Sequence, residues 1–216
     1  MRTIKNISAI GLGAVGCTYY SKLYDFNPDG IKIIAGGNRA LRYNKNGFII
    51  NGKRYDFTYV DPKEKCTPAD LVIVSVKSNQ LDQAIEDIKN HIGENTIILS
   101  LLNGITSEKI IGERFGMDKM LYSFCAGDSN RDGNKVDFSN VCNINFGEKK
   151  NDIYSEKVRA VKDIFDKSKI KYNIPADMMH ALWRKFMVNV GINQTSAILK
   201  VTYDSFKSST HAIRLM

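Results

Sequence analysis

The chain has 216 residues, of which 43% are hydrophobic and 25% charged, an ordinary globular balance that allows a full core. Its formal net charge of +8 favours anionic partners, but lysines and arginines alternate with acidic residues instead of forming a block, so nucleic-acid binding is not expected. No window approaches the ~20 apolar residues of a membrane span, and a strand that begins by Ile4 predicts a cytoplasmic protein without a signal peptide.

The four cysteines lie far apart along the chain without a C-x-x-C pair, and the three histidines are equally scattered. The spacing therefore predicts neither a disulfide framework nor a metal site.

A glycine-rich motif follows the first apolar run, Ile7 to Ile10, and precedes a predicted helix, Val15 to Phe26. A strand, a glycine turn and a helix in this order direct backbone N–H groups at one point, where an anionic pyrophosphate binds. The alternative is a glycine turn without a ligand. The predicted cofactor-binding residues of this motif are Gly11, Leu12, Gly13, Ala14, Val15 and Gly16.

Cofactor selectivity is expected at the end of the second predicted strand, Ile31 to Ala35. An acidic residue there holds the ribose 2′-hydroxyl of NAD, whereas a basic residue accepts the 2′-phosphate of NADP. The sequence continues with two glycines, Asn38, Arg39 and, slightly later, Arg42. NADP is therefore favoured, unless both arginines are merely solvated positions on the next helix.

Two further strands are predicted to end at polar residues. Leu71 to Val76 is followed by Lys77 and Gln80, and Thr96 to Leu102 is followed by Asn103. Because ligands bind at the carboxyl ends of parallel strands, these three side chains are expected to meet the cofactor or the substrate. Each could equally be an ordinary loop residue.

The remaining pattern predicts further strands, one long helix and a domain boundary. A hairpin is predicted from Gly47–Ile50 and Tyr55–Val60, joined by an Asn-Gly turn. The other predicted elements are helices at 81–91 and 152–168, strands at 120–124, 141–146 and 171–174, and a loop at 128–134. Ile153 is expected on the apolar stripe of the helix at 152–168. After Pro175 only helix is expected, which divides the chain into 1–175 and 176–216.

The predicted helix Ala176 to Leu199 combines an apolar surface with a polar ridge. Lys185, Asn189 and Asn193 are spaced by four residues, so they share one face. If that face is exposed to solvent, the ridge has no function. If it faces the crevice above the sheet, Lys185 becomes a proton donor beside two amides. The apolar residues expected to be buried are Leu182, Trp183, Phe186, Met187 and Val190.

Together these motifs make the sequence resemble the ketopantoate reductases. The similarity rests on the glycine loop, Val76-Lys77-x-x-Gln80, Asn103-Gly104 with Glu108, and Leu182-Trp183-Arg184-Lys185 continuing to Asn189 and Asn193. It implies a Rossmann-type, doubly wound α/β domain with a parallel sheet, followed by an all-helical domain. It also implies NADPH-dependent reduction of ketopantoate to pantoate.

The resemblance also assigns roles to individual residues. Lys77, Gln80, Asn103 and Glu108 would line the cofactor and substrate cleft together with the glycine loop, Asn38 and Arg39. Lys185 would be the general acid, while Asn103, Asn189 and Asn193 would bind the 2-oxo acid.

Two features depart from the family pattern: Gly36 stands where members often have an arginine, and the second domain is expected to be truncated, which favours a homodimer. A reductase of another 2-oxo acid and a non-enzymatic nucleotide sensor are the alternatives.

Overall fold

A computed structural model describes residues 2–139, 142–203, 205–208 and 210–215. Its main sheet has eight strands in the order β12-β11-β8-β7-β6-β1-β2-β5, and a smaller sheet has the order β4-β3-β10-β9. The strands are β1 (Ile7–Ile10), β2 (Ile31–Ile34), β3 (Phe48–Ile50), β4 (Lys53–Tyr55), β5 (Thr58–Val60), β6 (Leu71–Val74), β7 (Ile97–Ser100), β8 (Met120–Ala126), β9 (Ser129–Asp132), β10 (Lys135–Phe138), β11 (Asn143–Gly147) and β12 (Tyr172–Asn173).

The helices cover both faces of the main sheet. They are α1 (Ala14–Phe26), α2 (Gly37–Asn46), α3 (Leu81–Ile88), α4 (Ser107–Phe115), α5 (Glu156–Lys167), α6 (Met178–Leu199), α7 (Ser205–Ser208) and α8 (Thr210–Leu215). After β12 every described element is a helix.

The central strands are parallel, and their side chains enter two separate cores. The six strands from β5 to β8 pair in parallel, while β11 runs antiparallel to β8. Leu71 and Ile73 pack into one core with α1 and α5, whereas Val72 and Val74 pack on the opposite face with α3. A strand buried on both faces needs a continuous apolar run, which explains why β6 reads Leu-Val-Ile-Val. The fold is the predicted Rossmann-type α/β sheet.

The region between Gly47 and Val60 differs from the predicted hairpin. The Asn-Gly turn joins β3 to β4, but the second predicted strand is split at Asp56 and Phe57. Its second half, β5, leaves the hairpin and pairs in parallel with β2 at the edge of the main sheet. The strand is split because its first half pairs in the smaller sheet and its second half pairs in the main sheet. The pairing of β5 with β2 is long-range, so local periodicity could not predict it.

The prediction of a loop at 128–134 is also wrong. It contains β9, which forms an antiparallel hairpin with β10 through Gly133 and Asn134. Gly133 has φ +58°, the conformation that such a short hairpin turn requires. The strand expected at 141–146 is β11, from Asn143, and Val141 lies outside the described residues.

Helix caps shift two predicted boundaries. Ser155 caps α5 by accepting a hydrogen bond from the Val158 N–H at 3.3 Å, so Ile153 precedes the helix and is exposed instead of packing on its apolar stripe. Asp177 caps α6 by accepting from the His180 N–H at 2.9 Å.

The apolar surface expected along α6 is buried only near its start. Met178 and Leu182 pack against Phe124 of β8, but Met187 is 68% exposed. Trp183 and Val190 are exposed as well, and Phe186 is only half-buried, so the prediction that they are buried is wrong for the described chain. Periodicity identifies an apolar face, but it does not say which element covers that face.

Gly16 is a position where any side chain collides with the backbone. A Cβ there would lie 2.1 Å from the Gly11 carbonyl oxygen and 2.5 Å from Ser75 Oγ. Gly16→Ala should therefore lower the free energy of unfolding by about 1–3 kcal/mol, measured by urea denaturation. The control is Gly13→Ala, whose Cβ would have only one neighbour, the Ser75 carbonyl oxygen at 3.9 Å. Equal stability of the two variants would contradict this packing argument.

Candidate functional site

The glycine loop presents the open end of α1 at the carboxyl edge of the sheet. Gly13 is the N-cap of α1, no side chain caps that end, and the first turn carries no acidic residue. The first N–H groups of the helix are therefore available to an external acceptor, and the helix dipole favours an anion there. Gly11 has φ +96°, a conformation that favours glycine, so the turn depends on its identity.

Two buried hydroxyl groups hold the glycine loop in place. Ser75 Oγ donates to the Gly11 carbonyl oxygen at 2.7 Å, and it is 2.7 Å from the Tyr20 hydroxyl. Tyr20 also donates to the Ile10 carbonyl oxygen at 3.1 Å. Sequence reasoning missed both residues, although Tyr20 lies one turn after Gly16 on the helix face that meets β6. Their contacts fix the loop against the neighbouring strand.

A groove of about 570 Å³ runs along this edge. It brings together Gly13, Ala14 and Val15 of the loop with Lys77 after β6 and Asn103 after β7. Gly11 and Gly16 lie beneath the groove, where they allow close packing, and the Leu12 side chain is buried in the core. The Gln80 side chain turns back to accept a hydrogen bond from the Lys77 N–H at 3.5 Å, so it shapes the turn that presents Lys77.

Glu108 lies below the groove and not on its lining. Its carboxylate accepts hydrogen bonds from the Ser107 hydroxyl at 2.9 Å and from the Ser123 N–H at 3.3 Å. Burial raises the pKa of this carboxyl above its usual range. Ser107 also lies 2.7 Å from Ser100 at the end of β7. Glu108 is thus in a position to stabilise the strand end that precedes Asn103.

The tip of β2 carries a carboxylate that sequence reasoning missed. A Cβ on Gly36 would lie 2.9 Å from Asp61 Oδ2 and 2.9 Å from Pro62. Asp61 directly follows β5, the parallel neighbour of β2, so the two strand tips meet at the same edge. The sequence shows an acidic residue directly after the second predicted hairpin strand, but it does not show that this strand pairs with β2. Asn38 and Arg39 follow Gly36 with exposed side chains.

Lys185 lies in a second cavity, of about 520 Å³, between α6 and the end of the sheet. Asn143 and Asn145 of β11 and Arg184 line it as well, and it shares no lining residue with the groove. Asn143 pairs with Ala126, the last residue of β8, so this cavity reaches the same edge of the sheet as the groove. The structure thus brings Lys185 beside amides of β11 that sequence reasoning missed.

The other two residues of the polar ridge lie further along α6. Asn189 is half-buried, whereas Asn193 is exposed, and its side-chain oxygen accepts a hydrogen bond from the Tyr203 hydroxyl. Neither lines the groove or the cavity at Lys185.

Residues 7–151 match the family model described as "Ketopantoate reductase PanE/ApbA". The chain belongs to this family. A 2-dehydropantoate 2-reductase of Streptococcus pyogenes is 25% identical over 210 residues, which are 95% of this chain and 68% of that protein.

The solved structures that share the fold include two oxidoreductases. D-mandelate dehydrogenase in complex with NADH and anilino(oxo)acetate has a TM-score of 0.81 at 24% identity, with 95% of this chain and 68% of that chain covered. A dimeric ketopantoate reductase from Staphylococcus aureus has a TM-score of 0.76 at 19% identity, with 96% and 73% covered.

Family membership identifies the chain as an oxidoreductase of the ketopantoate reductase type with a nicotinamide dinucleotide as cofactor. Within the part of the chain that the structure describes, no helix is long and apolar enough to cross a membrane. The same residues contain no group of three or more histidines, cysteines, aspartates or glutamates that could hold a metal ion.

Gly13→Ala tests the glycine loop as the pyrophosphate site. The added methyl group meets no protein atom closer than 3.9 Å, so the fold should persist, but the group would hold phosphates away from the loop. We expect the dissociation constants of NADPH and NADH to rise about tenfold or more in calorimetric titration. Unchanged affinity for both nucleotides would exclude the loop as their site.

Asp61→Asn tests the carboxylate at the β2 tip. The substitution removes an exposed negative charge beside Gly36, so it should favour NADPH, the more anionic nucleotide. We expect the affinity for NADPH relative to NADH to rise about two- to fivefold, and this increase should be smaller at high salt. The matched control is Asp29→Asn, since Asp29 lines a cavity at the opposite edge of the sheet. An equal change in the control would show a general charge effect.

Proposed function

We propose that this chain reduces the keto group of 2-dehydropantoate to a hydroxyl group with NADPH as donor. The observation that carries the proposal is the groove in which the open end of α1 meets Lys77 and Asn103. It offers backbone N–H groups for a pyrophosphate and polar side chains further along the same edge. In this proposal Asn38 and Arg39 face the adenosine end of the cofactor, and Gln80 and Glu108 act by holding the strand ends.

The proposed chemistry pairs a hydride with a proton. The nicotinamide, when bound, supplies the hydride to the carbonyl carbon. The carbonyl oxygen thereby gains negative charge, which an ammonium group within hydrogen-bond distance stabilises before it transfers its proton. In our proposal Lys185 is that group, and the hydroxyl group of the product receives its proton.

The surroundings of Lys185 support this role. Its cavity combines two cationic side chains, Lys185 and Arg184, with the amides of Asn143 and Asn145. Positive charge beside amide donors suits a substrate that carries both a carboxylate and a keto oxygen. Because the cavity and the groove reach the same edge of the sheet, our proposal places the substrate at that edge.

The amides of the polar ridge and of the groove complete the proposed substrate site. Asn103 would hold the substrate from the sheet side, and Asn189 and Asn193 from α6. Because the Asn193 oxygen accepts from the Tyr203 hydroxyl, Asn193 would act through the N–H groups of its amide.

We also propose that the chain has the two predicted domains and assembles as a homodimer. The chain would divide into a nucleotide-binding unit, residues 1–175, and a helical unit, residues 176–216, and would act as a cytoplasmic homodimer. The dimeric reductase of Staphylococcus aureus supports the assembly.

A reductase for a different 2-oxo acid is the second candidate. The observation that favours it is the similarity in fold to D-mandelate dehydrogenase, whose structure contains anilino(oxo)acetate. Turnover of a panel of 2-oxo acids with NADPH separates the two candidates, because the first requires 2-dehydropantoate to have the highest kcat/KM.

Lys185→Ala should abolish most turnover and leave cofactor binding intact. A positioned general acid contributes about 10²–10⁴-fold, so kcat should fall by that factor while the dissociation constant of NADPH stays within about twofold. The matched control is Lys109→Ala, because Lys109 is an exposed lysine that forms an ion pair with Glu113 on its own helix. Full activity in Lys185→Ala would exclude this lysine as the acid. NADPH binding by the unmodified chain without turnover of any 2-oxo acid would favour a nucleotide sensor.

A further inference from the structure

Arg131 reaches the glycine loop from the β9–β10 hairpin. Its Nη1 donates a hydrogen bond to the Leu12 carbonyl oxygen, and its Nε donates to the Gly133 carbonyl oxygen at 2.7 Å. The guanidinium carbon lies 5.3 Å from the centre of the Phe48 ring. Two carbonyl acceptors and an aromatic face thus fix this cation beside the loop, although it is 119 residues away from Leu12 in the sequence.

The charge of Arg131 is not neutralised within the described chain. No carboxylate of a described residue lies within 4.0 Å of Arg131 or of Arg42. Nη2 of Arg131 donates no hydrogen bond to any of those residues. A guanidinium group has five N–H donors, and those that make no hydrogen bond within the protein can bind a ligand. Phosphate oxygens match the planar geometry of these donors.

Arg131 and Arg42 line the same cavity. It measures about 310 Å³ and lies between α2 and the hairpin, with Tyr43, Asn46 and Asn134 on its walls. Donors from both arginines and from the Asn46 amide therefore border one space, whereas the Asn134 amide already donates to the Asn46 and Gly47 carbonyl oxygens. An anion that enters it would meet positive charge on opposite sides.

This cavity lies near the place where the adenosine end of a dinucleotide would bind. In this class of fold the pyrophosphate lies on the glycine loop, and the adenosine ribose points its 2′ position towards the tip of the second strand. Arg131 touches the glycine loop, and Arg42 belongs to the helix that begins at the tip of β2. The cavity thus lies between an arginine that contacts the glycine loop and an arginine on the helix that leaves the strand tip.

Gly36 itself cannot supply the positive charge that a 2′-phosphate needs. Gly36 has no space for a side chain, because Asp61 and Pro62 occupy it, and Asp61 adds a negative charge. We propose that Arg131, with Arg42 on the opposite wall, binds the 2′-phosphate of NADPH and determines the preference for this cofactor. This inference rests on the proposed function.

The experiment compares two nucleotides that differ only in the 2′-phosphate. Dissociation constants of NADPH and NADH are measured by calorimetric titration for the unmodified chain, Arg131→Gln, Arg131→Lys and Arg42→Gln. Lys135→Gln is the matched control, because it removes one positive charge from an exposed position of the same hairpin. 2′,5′-ADP and 5′-ADP serve as a second pair of probes.

Arg131→Gln should weaken NADPH binding about 10- to 100-fold and 2′,5′-ADP similarly, while NADH and 5′-ADP change less than about twofold. Arg42→Gln should act in the same direction, Arg131→Lys should be intermediate, and Lys135→Gln should change little. Unchanged NADH binding also shows that each variant is folded.

Three results would overturn the inference. An equal loss of NADPH and NADH affinity in Arg131→Gln would place the arginine at the pyrophosphate or in the loop structure. Unchanged affinity for both nucleotides would remove it from the site. Failure of the unmodified chain to bind either nucleotide would refute the proposed function itself, and this inference with it.

Discussion

The close contact between α1 and the end of β1 is the constraint on which the site depends. Gly16 allows α1 to approach the loop so closely that a Cβ atom at this position would overlap the Gly11 carbonyl oxygen. Ser75 and Tyr20 then bond the loop to the neighbouring strand. As a result the uncapped N–H groups of α1 point into the groove and not into the core. The proposed anion site is thus a consequence of packing, because the same glycines that allow close approach leave no side chain over the helix end.

Parallel pairing brings the other site residues to this edge. Lys77 and Asn103 are separated by α3 in the sequence, but they follow adjacent parallel strands and therefore line one groove. The same rule brings Asp61 to Gly36, because β5 lies beside β2. The smaller sheet adds Arg131 to the glycine loop from outside the main sheet. Cationic side chains thus lie in the groove and beside the glycine loop, and the Asp61 carboxylate lies near the β2 tip.

The sequence predicted those parts of the structure that depend on local patterns. The glycine loop, the buried strands and the residues directly after them follow from short-range periodicity and spacing, so Lys77 and Asn103 could be named in advance. Asp61 and Arg131 could not, because their positions depend on which distant strand pairs with β2 and on where the β9–β10 hairpin packs. The Gly-Asn turn at 133–134 was a local signal for that hairpin and was available in the sequence. The roles of Lys185, Asn189 and Asn193 stay predictions.

The most direct measurement of the central claim is a titration of ¹⁵N-labelled protein with NADPH, followed by amide chemical shifts. If the dinucleotide lies along the carboxyl edge, the largest changes should occur at Gly13, Ala14 and Val15, with further changes near Lys77 and Asn103. The opposite edge of the sheet contains a smaller cavity lined by Ser8, Lys32 and His91. Changes concentrated there, with the glycine loop unaffected, would contradict the account.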